Sequence, residues 1–548
     1  MIRSSLMRKM PPTGLDAIVQ RLAELYKDDG NMRVELLMKL TIAPDAEVTK
    51  IWTSWKTLLD SPELEKKFLQ GVVAGLGSMV PAAGGSSSRQ PAPQRFQLFW
   101  QALLRLPPIV AGSFLTLPSN VNLLGRDLWG SSLLVRHCYR GIFDRMMGLH
   151  SSNGKKRFVI TGTPGIGKSF FAVVLMGWLV QEMGVSTFLV EFQAKRYLFT
   201  REGTDKKVEV GSITDFMAEL EDPLTWWIVD MGKGEEVPAC TVLLASPDQQ
   251  RYKEFLKFPG SSKLYMPVWS NEEIEECRMQ LYPNLDKEEV EKLVTLWGKV
   301  PRYVLEKARE EWTLISLKET ISKCKWEDII SCIGEPEAAP EASHKLVHLE
   351  VVDDKLYNKR IMMPASSYVV EQMEQKAGHD HVKQLENLIH LSIGTPAYAA
   401  TAGVFFEHYA HRRLQEGGSF EVRQLYPPKR APAAENIQIL NVEQCSGIHT
   451  FYKLQEIKEQ GDNIYCVPSN HNFPAVDSIM QPQFLFQMTT TQKEEVKVDT
   501  LNAAAHQLRS KKPRLYFVVP ARIFLEFKFV RGIPTEIEQW VLKVKGMK

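Results

Sequence analysis

The 548-residue sequence contains no Cys-x-x-Cys pair, and its seven cysteines (Cys138, Cys240, Cys277, Cys324, Cys332, Cys445 and Cys466) are scattered and odd in number. That distribution argues against a disulfide framework or a cysteine zinc site and fits buried thiols in a reducing compartment. No apolar run reaches the length that spans a bilayer, so no membrane partner is expected. The opening stretch, MIRSSLMRKMPPTGLDAIV, has basic residues but no apolar core ahead of a cleavage site, so no conventional signal peptide is read there. Charge of one sign is lacking too: 67 Lys plus Arg stand against 65 Asp plus Glu. Nucleic-acid binding would therefore have to come from local patches. Internal repeats are also missing.

A chain of this length exceeds a single hydrophobic core and calls for several domains. Residues 1–77 have helical spacing and read as a small, mainly helical N-terminal domain. Residues 78–95, around VPAAGGSSSRQPAPQ, form a Pro/Gly/Ser-rich linker. In residues 96–333, apolar runs (FVIT, TFLVEF, WWIVDM, TVLLASP, SKLYMPVW) alternate with helical segments, the pattern of a parallel sheet covered on both faces. A charged helical segment, expected to act as a lid, closes that domain. Residues 334–345 (GEPEAAPEASH) read as a second linker, and residues 346–548 as an α+β domain. The fold class expected is thus multidomain α/β.

The most specific local signal is GTPGIGKS, which satisfies G-x-x-x-x-G-K-[ST] between an apolar strand and an apolar helix. In a P-loop NTPase this pattern cradles phosphate: glycines let backbone N–H groups turn inward, and the next helix offers its positive end. Gly162, Thr163, Pro164, Gly165, Ile166, Gly167, Lys168 and Ser169 are the expected ATP contacts, with Lys168 on the β/γ-phosphates and Ser169 on Mg²⁺. Asp230, ending the apolar run WWIVD, is the expected second Mg²⁺ residue. In many ATPases of the additional-strand class a catalytic Glu follows that Asp, whereas Met231 follows here, with Glu235 and Glu236 nearby. Slow hydrolysis or a nucleotide switch are both open. Ser246 ends the next strand, where it can sense the γ-phosphate, and Arg302 begins a late helix suited to reach back.

In the C-terminal domain a helix with Glu407 is followed by strands, a helix and further strands, the order of a restriction-endonuclease-like core. Asp477 and Gln487 fit the metal-binding acid and its companion on the next strand, and Glu407 fits an acid from the first helix. Gln487 stands where Glu is usual, and Thr489 where a Lys is expected. Lys493 or Lys497 are alternative cations, and the domain is alternatively a binder that does not cut. His449, Asn470, His471 and Asn472 form a rival His-Asn-His type cluster. The basic runs GKKR, PPKR and RSKKPR are candidate phosphate contacts, and the last, with Lys511, Lys512 and Arg514, is also a candidate nuclear import signal.

Five blocks taken together, LLVRHCYRGIFDRMM, GTPGIGKSFF, TVLLASPDQQRYKEFLK, YMPVWSNEEIEE and WGKVPRYVLEKA, resemble the Crinkler effector family of oomycetes and chytrid fungi. More distantly they resemble trypanosome retrotransposon hot spot proteins. The resemblance is strongest over residues 96 to 310, and AVDSI…FLFQMT looks like the nuclease block attached to such ATPases. It implies an ATPase–nuclease fusion that is secreted, enters host cells and acts on DNA in the host nucleus. It places Arg136 in the segment ahead of the phosphate loop, with Lys168, Asp230, Ser246 and Arg302 in the nucleotide site. Host DNA, host nuclear proteins and an import receptor would be its partners, and ATP and Mg²⁺ its cofactors. The family's Leu-Phe-Leu-Ala-Lys-like translocation motif is not found in residues 1–77. The alternative is a non-enzymatic effector with an ATP-dependent switch and a C-terminal domain that binds DNA or protein.

Overall fold

A computed structural model describes residues 89–548, apart from 193–194, 204, 231, 248–251, 335–342, 378–379, 428–435, 470–472, 493–495 and 545–548. The expected N-terminal domain, most of the first linker, Met231, Asn470, His471, Asn472 and Lys493 lie outside the described residues. Residues 88–548 form one compact unit.

Its first sheet contains β1 (Gln90–Pro91), β4 (Arg157–Thr161), β5 (Thr187–Phe192), β6 (Lys195–Glu202), β7 (Asp205–Gly211), β8 (Trp226–Asp230), β9 (Cys240–Ala245) and β10 (Ser261–Tyr265). A small hairpin, β2 (Phe114–Thr116) with β3 (Ser132–Leu134), precedes β4. The sheet order is β1-β7-β6-β5-β8-β9-β4-β10. The five strands β5, β8, β9, β4 and β10 are parallel, as their continuous apolar runs predict. The sheet differs from the expectation at one edge, where β6, β7 and β1 add an antiparallel meander. Glu202 pairs with Asp205, so the β6–β7 connection is a tight turn with no room for the crossover that parallel strands need.

Helices α1 (Gln94–Leu103), α2 (His137–Asn153) and α3 (Lys168–Met183) pack on one face. Helix α3 is apolar almost all round because its outer side is covered as well. Trp178 Nε1 donates to the Ile109 carbonyl (3.0 Å), and Gln181 Nε2 donates to the Pro107 carbonyl (3.0 Å). Helices α4 (Asn271–Leu281), α5 (Lys287–Trp297), α6 (Glu311–Lys323) and α7 (Trp326–Gly334) form the expected helical segment. Ser270 caps α4 in a capping box with Glu273.

Next comes a two-stranded antiparallel ribbon, β11 (Val347–Val351) with β12 (Arg360–Pro364), then α8 (Ser367–Ala377), α9 (His381–Leu391) and α10 (Pro396–Glu416). The second large sheet holds β13 (Gly418–Gln424), β14 (Ile437–Val442), β15 (Gly447–Phe451), β16 (Ile464–Pro468), β17 (Ser478–Met480), β18 (Phe484–Met488), β19 (Arg514–Val519) and β20 (Glu538–Lys543). Its order is β14-β13-β20-β19-β18-β17-β16-β15. Within it β16, β17 and β18 form an antiparallel meander, helix α11 (Val498–Ala505) follows, and β19 returns parallel to β18. Helix α10 lays Phe405, Phe406, Tyr409, Ala410 and Leu414 into the core shared with Phe486 and Tyr516 of this sheet. None of the seven cysteines forms a disulfide, and all but Cys445 are buried. Among the described residues no helix is long and apolar enough to cross a membrane.

Candidate functional site

The 162–169 loop joins the end of β4 to the start of α3. Gly165 and Gly167 have φ of +86° and +97°, a left-handed backbone that side-chain-bearing residues rarely adopt. Neighbouring groups hold the loop's carbonyls from behind. Trp269 Nε1 donates to the Ile166 carbonyl (2.8 Å), and the Tyr139 hydroxyl donates to the Gly167 carbonyl (2.8 Å). Because the C=O and N–H of a trans peptide point in opposite directions, anchoring these carbonyls turns the N–H groups of Gly167 and Lys168 the other way. Lys168 closes back on the loop, its Nζ donating to the carbonyls of Gly162 (2.7 Å) and Thr163 (2.8 Å). Burial, with the Arg302 charge added, lowers the Lys168 pKa to about 7 against an opposing pull from Asp230.

Asp230 ends β8, and β9 lies between β8 and the loop-bearing strand β4. The Ser169 hydroxyl donates to Asp230 Oδ1 (2.8 Å), so the two expected Mg²⁺ residues meet directly. Burial raises the Asp230 pKa against the opposing effects of Ser169, Arg126 and Lys168. Ser246 follows β9, whose last residues pair with Thr161 on one side and Asp230 on the other, so it emerges between the loop and the acid. Arg302 lies over Gly165: a Cβ built on that glycine would fall 2.9 Å from Arg302 Cβ. Arg136 is 1% exposed and is held by Glu273 (3.0 and 2.9 Å) and by the carbonyls of Pro267 and Val268. It clamps the 267–273 segment behind the loop. Glu235 pairs with the buried Arg196 (3.4 Å).

Sequence reasoning missed two features here. One is Arg126, whose Nη1 lies 3.5 Å from Asp230 Oδ2; it sits upstream of the motif in a segment with no recognisable pattern. The other is the ribbon. The N–H of Leu349 in β11 donates to the Thr163 hydroxyl within the loop (2.9 Å), and Tyr265 N–H donates to the Tyr357 carbonyl (2.7 Å). The segment expected to open the C-terminal domain is therefore bonded to the 162–169 loop.

In the C-terminal sheet Asp477 directly precedes β17, and its Oδ2 accepts from the N–H of Met488 (2.6 Å), next to Gln487 on β18. Asp477 N–H in turn donates to the Phe486 carbonyl (2.8 Å). Gln487 is 8% exposed. Glu407 on α10 reaches the same region through a chain of polar side chains. The Ser478 hydroxyl donates to the buried Tyr465 hydroxyl (2.7 Å), which lies 2.8 Å from His411 Nδ1; His411 Nε2 lies 3.6 Å from Glu407. Burial raises the Tyr465 pKa far above its ordinary value, and both Asp477 and Glu407 add to that rise. Thr489 is 7% exposed, and its hydroxyl accepts from the Thr491 N–H (3.1 Å). Lys497 precedes α11. Among the described residues no group of three His, Cys, Asp or Glu is arranged to hold a metal.

His449 on β15 lies 3.6 Å from Glu456, and its expected companions are outside the described residues. Lys511 and Lys512 are exposed, while Arg514 pairs with Glu538 (3.1 Å) at the start of β19.

Fold and site define a mixed α/β protein in which a sheet carrying a glycine-lysine loop is joined to a mixed sheet carrying paired polar residues at its strand ends. No family model matches the sequence. Crinkler effector protein 15 of Phytophthora infestans is 26% identical over 512 residues, which cover 90% of this chain and 79% of that protein. Crinkler effector protein 16 of the same organism is 27% identical over 513 residues, with the same coverage. By sequence the chain is thus similar to Crinkler effector proteins over most of its length. Two solved structures also match: the S. cerevisiae Hsp104–ADP complex (12% identity, 50% of this chain, 43% of that chain, TM-score 0.23) and closed-state Hsp104 with ATPγS and casein (13%, 51%, 49%, 0.23).

Proposed function

We propose that this chain is a Crinkler-type effector that binds ATP with Mg²⁺ at the 162–169 loop and carries a Mg²⁺-dependent nuclease site on its C-terminal sheet, acting on DNA in the host nucleus. The observation that carries the nucleotide half is the 2.8 Å contact between Ser169 and Asp230. These are a hydroxyl and a carboxylate of the kind Mg²⁺ takes, beside a loop whose lysine is half-buried. The strand order supports it, since one strand separates the loop strand from the acid strand, as in ATPases of the additional-strand class. When bound, Mg²⁺ neutralises charge on the β- and γ-phosphates. Lys168 supplies a point charge to the same oxygens, and the N–H groups of the loop orient them.

Met231 occupies the usual place of the catalytic Glu, and Glu235 is engaged by Arg196. Turnover is therefore expected to be slow, on the order of 10⁻² s⁻¹ or less, the range of nucleotide switches. Asp230→Ala should retain ATP binding and lose Mg²⁺-dependent phosphate release; unchanged release would overturn the assignment.

The nuclease half is supported by Asp477 accepting from the N–H of Met488, next to Gln487, and by the side-chain path from Glu407 through His411 and Tyr465 to Ser478, next to Asp477. Purified protein should nick plasmid DNA with Mg²⁺, and Asp477→Ala should not, while still binding DNA. A second reading, a non-enzymatic effector whose C-terminal domain only binds, is favoured by one observation: Thr489 stands in the lysine's place with its hydroxyl engaged by Thr491. Wild-type protein that binds DNA and never nicks it decides for that reading.

A further inference from the structure

Arg126 has no assigned role, yet it approaches the same carboxylate as Ser169. Its Nη1 lies 3.5 Å from Asp230 Oδ2, while Ser169 occupies Oδ1. The guanidinium is fixed from both sides, 4.2 Å from the ring centre of Trp129 and 5.0 Å from that of Phe192. Trp129 in turn packs at a tilt against Phe170 (ring centres 4.6 Å apart), the residue after Ser169 on α3. The backbone ahead of Arg126 is strained: Leu124, buried and not glycine, has φ 50° and ψ 25°, and Gly125 follows with φ 61°. Such a conformation costs about 1–3 kcal/mol and persists where the surroundings enforce it, often at functional sites. Here it delivers Arg126 to Asp230.

Electrostatics determine what the arginine does there. Asp230 faces Arg126 and Lys168, and Lys168 feels Arg302 as well. One carboxylate against two arginines, with Lys168 able to take up a proton beside an anion, leaves a pocket suited to a polyanion. A divalent cation arriving between Ser169 and Asp230 would repel the guanidinium from the carboxylate, and the nearest compensating anion would be the phosphate nearest that metal.

We infer that Arg126 is an in-chain contact to the terminal phosphate of bound ATP, holding Asp230 when that phosphate is missing and the phosphate when it is present. This rests on the nucleotide reading above and adds to it a residue that distinguishes triphosphate from diphosphate.

The test is a titration of the full chain with fluorescent ATP and fluorescent ADP in Mg²⁺, comparing wild type with Arg126→Ala, Arg126→Met and Arg126→Lys. Arg126→Met keeps the stem stacked on Trp129 and guards against misfolding. The expected result is a roughly tenfold loss of ATP affinity in the Ala and Met variants, with ADP affinity changed less than twofold and partial rescue by Lys. ATP and ADP affinities that fall together would mean that Arg126 only neutralises Asp230, and would overturn the inference. Wild-type protein that binds both nucleotides, with unchanged discrimination in the variants, overturns this inference alone. Wild-type protein that binds neither overturns the nucleotide reading and this inference with it.

Discussion

Lys168 is a half-buried amine with its pKa lowered to about 7, and its hydrogen bonds are to carbonyls rather than to an anion. Its folded value lies below the unfolded one of about 10.4. Between those values the unfolded chain binds the extra proton, so nucleotide-free stability rises with pH across that window and falls as pH drops through about 7. A triphosphate reverses the balance by stabilising the ammonium. At pH 8, ATP binding should therefore take up close to one proton, and calorimetric binding enthalpies should differ between buffers of different ionisation heat. Buffer-independent enthalpies would contradict it. A second residue-scale expectation concerns Glu374, whose side chain is fully buried among His381 (3.1 Å), His408 (3.0 Å) and Arg412 (3.2 Å). Burial pushes its pKa up, but hydrogen bonds from the two histidines outweigh that and hold it at about 2. Its contribution is present above the unfolded value of about 4.3 and is lost as pH falls towards 2. Glu374→Ala strands these partners and should cost about 3 kcal/mol in denaturant unfolding at pH 7. A change under 0.5 kcal/mol would deny the cluster its structural role.

At the element scale the ribbon is the informative piece. Leu349, bonded to Thr163 of the loop, pairs across the ribbon with Met362, whose carbonyl accepts from the Thr401 hydroxyl on α10. Glu407 lies further along that same helix. A shift of the loop on nucleotide binding thus has a short bonded route to α10. Backbone hydrogen exchange in α10 should change when Mg²⁺-ATP is added, and Thr401→Val, which keeps the shape and deletes the donor, should remove most of that response. An α10 indifferent to ATP in the wild type would exclude the route.

Topology also separates the two roles considered for Lys511 and Lys512. They precede β19 at the end where Arg514 pairs with Phe484, whereas Gln487 lies three residues further along β18, about 10 Å along the strands. Changing both to Ala should leave plasmid nicking intact.

What the sequence disclosed follows from range. The loop motif is local, so its glycines, Lys168 and Ser169 were legible, as was Asp230 from four apolar residues ahead of an acid. Asp477 and Gln487 were legible from strand spacing. Arg126 was not, because a long segment separates it from the motif and only tertiary packing brings it to Asp230. The Tyr465–His411 link was hidden because a buried hydroxyl looks like any core tyrosine. The ribbon read as the start of a new domain because the linker before it suggested a break, while its bonds run back to the loop.

For the whole molecule, residues 88–548 are one compact unit in which two sheets share a continuous core through α10, and the sequence relatives are Crinkler effectors. The account makes the first sheet a nucleotide sensor and the second the part that acts. Everything else depends on the loop binding triphosphate. The most direct measurement is therefore an equilibrium titration of the full chain with fluorescent ATP in Mg²⁺, wild type against Lys168→Ala. The ammonium neutralises charge that the loop N–H groups leave uncompensated, so the variant should lose at least tenfold in affinity while its thermal unfolding stays cooperative. Equal affinity in the two folded proteins, or no binding by the wild type, would contradict the account.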